Sequence, residues 1–227
     1  MPKPPRPTNP ADVARFLAEM ESFPLPLVIL KSGRGFVRFI KKPRRNLLGT
    51  GPSSGRFSDP RRGTVPDTEL FHVLYAAYDP RTAFEETVLR DKRADRHGRT
   101  LLTRAELEIW RGGLVHTRRP LKLVDLRETE GGWRSLGMTI EELKGASYRV
   151  TQQYSRAFHL RSDALDGIVY SSRYAGEPNI AIFGRAISTG LRADPVRPVL
   201  DFELAPIFRK LGVEIVEDPP EDDGDGE

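Results

Sequence analysis

The apolar residues of "PADVARFLAEME" fall at Val13, Phe16, Leu17 and Met20, which is the spacing of one helical face. Asn9 stands where a cap is wanted and Pro10 suits the first turn. The prolines of "FPLPLVIL" forbid helix, and "GFVRFI" then alternates as a strand does. "LFHVLYAAYD" reads as a buried strand. In "PRTAFEETVLRD", Pro80 takes a first-turn position and Ala83, Phe84, Thr87 and Val88 share one side, so a helix is predicted.

Residues 103–110 pattern as helix and "PLKLVDLR" as strand. "TIEELKGASY" opens with a Thr139-x-x-Glu142 capping box and is expected to continue as helix through "YRVTQQYSRAFHLR". "DGIVYSSRY" and "PNIAIFG" read as strands bounded by turn residues, as do "VLDFE" and "VEIVED". No internal repeat appears. Strands and helices mix without a regular βαβ rhythm, so the pattern predicts an α+β fold with mostly antiparallel, mixed sheets and flanking helices. Three regions follow: an extension with one helix over 1–33, a body over 34–216 and an acidic stretch over 217–227.

Composition narrows the picture. A chain of 227 residues suits one substantial domain, 38% apolar residues supply a core, and 30% charged residues imply a soluble surface. No run approaches the roughly 18 apolar residues of a membrane span. "MPKPPRPTNP" lacks the apolar core of a secretory signal, so a cytoplasmic protein is expected. The absence of cysteine excludes disulfide and thiolate chemistry. His72, His97, His116 and His159 show no ligand spacing, so no metal is expected.

Charge adds a partner class. Removing the seven acidic groups of "EDPPEDDGDGE" from a net +4 leaves +11 on residues 1–216. A basic body calls for an anionic partner: a nucleotide, a nucleic acid or an acidic protein. The Pro- and Gly-broken acidic stretch is expected to be disordered. Residues 41–69 hold seven Arg or Lys among Pro, Gly and Ser and read as a long functional or mobile loop. Within it, "SGRFSDP" sets Gly55, which permits close backbone approach, before Arg56 and the turn-forming Ser58, Asp59 and Pro60.

Arg38 in "FVRFI", Arg56 in "GRFSDP", Tyr75 and Glu86 in "LYAAYDPRTAFEETVLR", and Ser172 and Asn179 in "DGIVYSSRY…NIAIF" occur in the order of a known pattern. Over residues 34–205 the chain resembles the RES domain family. That pattern is an Arg-bearing first strand, Gly-Arg-aromatic-Asn, Leu-Tyr, Ala-x-x-Glu, then Gly-Ile-x-Tyr-x-Ser followed by Asn. The sequence departs from it at Ser58, where the family has Asn, and in a longer stretch between Arg56 and Tyr75.

The resemblance implies an ADP-ribosyltransferase-like fold and a toxin of a toxin–antitoxin pair. Such a toxin consumes NAD by hydrolysis or phosphorolysis, or transfers ADP-ribose to a protein acceptor. It also implies a cognate antitoxin of helix-turn-helix type as partner. A homodimer stays open.

The residue types suit that chemistry. Cleavage of the nicotinamide–ribose bond develops an oxocarbenium-like ribose, which a carboxylate stabilises. The Ala-x-x-Glu spacing selects Glu86, while Glu85 points about 100° away around a helix; the alternative for Glu86 is a solvated helix glutamate. Arg38 and Arg56 can grip a pyrophosphate bidentately, or form surface ion pairs. Tyr75 either stacks on nicotinamide and positions the ribose or belongs to the core.

Ser172 can hydrogen-bond the ribose or the nicotinamide amide, with Ser171 as the register alternative. Asn179 is expected to secure the loop between two strands, and Gln152 and Gln153 to support the site from behind. The sites are thus Glu86, Arg56 and Ser172 for catalysis, and Arg38, Arg56, Tyr75 and Ser172 for NAD. The rival class is a nucleic-acid-binding or non-catalytic interaction protein, suggested by the basic body and "KKPRRN".

Overall fold

The computed structural model describes residues 10–217 apart from 91, 93, 175 and 176. Asn9 and the acidic stretch from residue 218 onward lie outside the described residues. The chain runs α1 (Pro10–Ser22), β1 (Leu27–Leu30), β2 (Gly35–Lys41), β3 (Val73–Ala77), α2 (Pro80–Thr87), β4 (Thr100–Thr103), α3 (Arg104–Glu108) and β5 (Trp110–Thr117). It continues through β6 (Leu121–Leu126), α4 (Gly132–Ser135), α5 (Ile140–Lys144), α6 (Arg149–Leu160), β7 (Gly167–Ser171) and β8 (Pro178–Phe183). Last come α7 (Gly184–Gly190), β9 (Leu191–Ala193), β10 (Arg197–Pro198), α8 (Ala205–Leu211) and β11 (Val213–Val216).

Nine strands form one sheet in the order β1-β6-β7-β8-β3-β2-β5-β10, with β9 also on β5. Only β6 and β7 run parallel within it. The class is α+β, as the irregular pattern predicts. β11 and β4 pair parallel in a separate two-stranded sheet.

Period-2 alternation along the central strands feeds two cores. Ile168 and Tyr170 of β7, with Ala181 and Phe183 of β8, meet Phe16 and Met20 of α1 and Tyr154 and Phe158 of α6. Val169, Ile180 and Ile182 face the other way, against Leu74, Val115, Leu121 and Ile187. Phe39 and Val37 join Phe84 of α2, Leu107 of α3 and Val199 in a third cluster. Full burial of each such side chain contributes about 1.5–3 kcal/mol.

Some elements differ from the pattern's forecast. β2 is buried from Phe36 to Ile40, on both faces, because it sits inside the sheet. The helix expected to run from Thr139 to Leu160 is two helices: α5 has its capping box and stops at an extended Gly145, and α6 starts after Tyr148. "VLDFE" is a 3₁₀ turn over Val199–Asp201. β5 escapes hydropathy reading because Gly112 and Gly113 interrupt it. Side chains there would crowd the core, since a Cβ would lie 2.2 Å from Phe39 and 2.7 Å from Leu47 respectively.

The neighbours β2 and β3 share a single register pair, Val37 with Ala77. By contrast β2 and β5 share seven pairs, and β3 and β8 five. The sheet is therefore split, and Arg38–Lys41 and Val73–Tyr75 diverge beyond the one bridge. The site lies in that split.

Candidate active site

A cavity of about 480 Å³ opens there, with walls from β2, β3, α2, the 41–56 loop and Tyr148, Tyr170 and Arg173. Its carboxylate is Glu86, on the cavity-facing side of α2. Asp79 caps that helix through Thr82 N at 3.0 Å and holds the Thr82 hydroxyl at 2.7 Å. Glu86 Oε1 accepts from Ser172 Oγ at 2.6 Å, from Arg173 N at 3.3 Å and from Asn179 Nδ2 at 3.3 Å. Three donors on one oxygen fix the carboxylate's rotamer.

Glu85, one residue earlier, turns away to Arg81 at 3.5 Å. Burial pushes its carboxyl up, against the pull of Arg81. The 100° separation between helix neighbours places only one of the two in the cavity.

Ser172 is fully buried behind Glu86 and also accepts from Tyr174 N at 3.1 Å. Ser171 faces elsewhere and accepts from Glu128 N, which resolves the register. Asn179 ends on Glu86 rather than simply tying a loop.

Arg56 is 6% exposed, and its buried Nε has no hydrogen-bond partner. Its guanidinium lies 5.7 Å from the ring centroid of Tyr148 and 5.6 Å from that of Tyr170. Aromatic faces partly compensate a buried cation, by about 0.5–2 kcal/mol, and leave its in-plane donors available to a ligand. Arg173 repeats the arrangement: its Nε is buried and unpartnered, its guanidinium is 5.5 Å from the Tyr148 centroid, and Nη2 donates to Tyr148 Oη. Arg90 Nη2 donates to the same oxygen at 3.2 Å.

Arg38 also lines the cavity, but Nη1 donates to Leu47 O at 2.5 Å and Nη2 to Gly49 O at 3.1 Å. Burial lowers its pKa to about 10, so it stays charged at neutral pH. Its fork holds the basic loop in place.

The 41–69 segment is packed rather than splayed: Leu47, Arg56, Phe57, Ser58 and Asp59 are buried. Tyr75 Oη accepts from Phe57 N at 2.9 Å and meets Ser58 Oγ at 3.3 Å. Burial pushes the Tyr75 phenol up to about 12. Gly55 is required by this contact, since a Cβ there would sit 2.7 Å from Tyr75 Oη. Gln152 Nε2 donates to Gly55 O at 3.0 Å, and Ser155 Oγ to Phe57 O at 2.6 Å. Thus α6 and β3 clamp the loop so that Arg56 projects into the cavity.

A family model described as the RES domain matches residues 33–205. The chain belongs to the RES domain family. It is 37% identical over 114 residues to the probable toxin y4kH of Sinorhizobium fredii (strain NBRC 101917 / NGR234), a match over 49% of this chain and 87% of that protein. Among solved structures it resembles a chain in the crystal structure of the M. tuberculosis MbcT–MbcA toxin–antitoxin complex. That match has a TM-score of 0.56 at 16% identity, over 81% of this chain and 91% of the other. At that identity the likeness establishes the fold.

The RES pattern residues converge on one cavity: Arg38, Arg56, Tyr75, Glu86 and Asn179 line it, and Ser172 stands directly behind Glu86. At the position where the pattern has Asn, Ser58 bonds Ser53 Oγ at 2.5 Å and Tyr75, and so serves the loop. Gln153 Oε1 is buried without a partner. Tyr170, the tyrosine of Gly-Ile-x-Tyr-x-Ser, also lines the cavity, whereas Tyr148 and Arg173 stand outside the pattern. Only the adjacency of Arg173 to Ser172 hints at its role; Tyr148 arrives from the start of α6, far along the chain.

Proposed function

We propose that this RES domain protein is a toxin that cleaves the nicotinamide–ribose bond of NAD. The observation that carries the reading is the pairing, across one cavity, of a single fixed carboxylate with two guanidiniums, on Arg56 and Arg173, whose buried Nε groups lack partners. Arg56 and Arg173 suit the pyrophosphate as positively charged forks on the cavity wall. Tyr75 and Tyr170 offer a wall for the nicotinamide ribose.

As the C1′–N1 bond breaks, its electron pair passes to the pyridinium nitrogen and neutral nicotinamide leaves. Positive charge grows on the ribose, and Glu86 faces it. Preorganised groups of this kind contribute about 3–4 kcal/mol to the barrier. Ser172, Asn179 and the Arg173 amide hold Glu86 in place. The ribosyl cation is then captured by water, phosphate or a protein side chain; all three outcomes share this first step.

A toxin of this type requires a cognate antitoxin, for which a helix-turn-helix protein is the expectation. Nicotinamide release tests the reading: purified protein with NAD should liberate nicotinamide well above buffer, with water, phosphate or candidate protein acceptors supplied in turn. No release under any of these conditions would remove the NAD-cleaving assignment.

A further inference from the structure

Among the described residues, five aromatic side chains line the cavity: Phe39, Tyr75, Trp110, Tyr148 and Tyr170. Three of them are already engaged. Phe39 meets Phe84 and Phe202 edge-on, with centroids 6.4 and 5.1 Å away. Tyr148 carries Arg56 and Arg173, while Tyr170 carries Arg56 and meets Phe57. On Tyr75 and Trp110, among the described residues, no aromatic ring or guanidinium is packed.

Those two rings belong to opposite sides of the split. Tyr75 is in β3, whose neighbour is β8. Trp110 opens β5 and pairs with Lys41 of β2. Strand alternation puts Lys41, and with it Trp110, on the sheet face of Val37 and Phe39. There the partly buried indole packs against the third cluster, beside Phe84 of α2. A side chain held on that cluster is fixed before any ligand arrives.

The carboxylate is tied to the other side. Ser172, Arg173 and Asn179, which hold Glu86, follow β7 or lie in β8. The cavity therefore runs from Glu86 and Tyr75 towards Trp110. NAD has a base at each end of its pyrophosphate. Its nicotinamide must stand at Glu86, where the glycosidic bond breaks, and its adenine then needs an aromatic surface away from that carboxylate. An indole stacks on the π-face of any base.

We propose that Trp110 seats the adenine base, and that stacking there sets a preference for the dinucleotide over nicotinamide mononucleotide. The identity of the ligand rests on the NAD reading of the site. Adenine binding at Trp110 is nevertheless measurable without cleavage.

Indole fluorescence tests the seat directly. The chain has two tryptophans. Trp133 lies in the core with α1 and α6, 9% exposed, and Arg134 covers its ring. ADP-ribose should quench the wild-type emission after correction for adenine absorbance, and inorganic pyrophosphate should not. In Trp110→Phe, where Trp133 alone emits, the quench should vanish. No quench by ADP-ribose in the wild type, or the same quench in Trp110→Phe, would overturn the proposal.

Turnover supplies the second arm. Trp110→Leu keeps an apolar side chain on the cluster and loses the stack, so KM for NAD should rise about ten-fold. kcat should stay as it was. Trp110→Phe, which restores a ring, should recover most of the loss. Nicotinamide mononucleotide has the scissile bond and no adenine, so its KM, or its inhibition constant against NAD, should not move in either variant. Equal losses towards both nucleotides would mean a distorted cavity, and an unchanged KM for NAD would mean no stack; each would overturn the proposal. Absence of cleavage by every form would remove the NAD-cleaving assignment, and the fluorescence would then decide the adenine seat alone.

Discussion

Two cavities of similar volume, about 480 and 560 Å³, are both lined by arginines, yet Arg56 and Arg173 of the first stand in the opposite condition to Arg61 and Arg185 of the second. In the first, Arg56 and Arg173 keep a buried Nε without a partner and rest against aromatic faces. In the second, Arg61 holds Asp59 Oδ2 at 2.8 Å and Glu69 O at 2.7 Å. There Arg185 gives Nη1 to His159 O and Nε and Nη2 to Leu165 O. Burial and the charge of Arg61 push Arg156, on the same wall, down.

The number of arginines does not make an anion site. A guanidinium whose donors are already bonded is part of the fold, whereas one buried with donors to spare is prepared for a ligand. Arg38 shows the distinction within the first cavity itself, since it reaches the wall and yet bonds the loop.

The sharpest way to break the comparison is at the carboxylate. Glu86→Gln should reduce nicotinamide release by about 10²–10³ while NAD binding persists. Glu85→Gln, pointing away, and Glu69→Gln, on the second cavity, should leave the rate nearly intact. Initial rates and NAD titrations on folded variants decide this. A dead Glu85→Gln beside a normal Glu86→Gln would reverse the assignment.

Arginine geometry comes next. Arg56→Lys keeps the charge and loses the fork, so kcat/KM should fall about ten-fold or more. Arg61→Lys and Arg62→Lys should change it less than about two-fold, because their charge acts only diffusely. Equal losses at all three positions would erase the contrast between the cavities.

A smaller effect is expected one layer back. Ser172→Ala removes the shortest bond to Glu86, and should cost about 1–1.5 kcal/mol, or about five- to ten-fold in kcat, with KM little changed. A KM effect alone would place Ser172 on the substrate instead.

The second cavity should reveal itself in stability rather than turnover. Burial, with Arg185 adding to it, lowers the His159 pKa to about 4, while the unfolded chain has the ordinary value near 6.5. Between those values the unfolded state binds more protons, so stability falls as pH drops from about 6.5 towards 4. Melting temperatures of the wild type should show that decline. His159→Phe, which keeps a ring against Phe71, should show less of it. Identical pH profiles would put the titration elsewhere.

These expectations also show what could be read from the residues. Helix period said that only one of Glu85 and Glu86 could face the site and the Ala-x-x-Glu spacing selected Glu86, while strand alternation let only one of Ser171 and Ser172 face it. Local patterns carry that kind of information. They do not carry where a donor ends: Arg38 looked as good a fork as Arg56 until Leu47 O and Gly49 O took its hydrogens. Asn179 looked like a loop tether until β8 aligned it with Glu86.

Tyr148 and Arg173 became visible only through folding, since their meeting joins α6 to the segment after β7. β5 was hidden for a related reason. Its two glycines, which read as breakers, are there because Phe39 and Leu47 fill the space a side chain would need.

The single pair between β2 and β3 also sets where the molecule yields. Parting those strands breaks one register pair, whereas parting β3 from β8 breaks five and β2 from β5 seven. The weakest line of the sheet thus runs through the cleft, between Arg38 and Tyr75. What joins the two sides there is one backbone rung together with the packing of Val37, Phe39, Ala77 and Phe84, so side chains rather than the ladder hold the cleft's width.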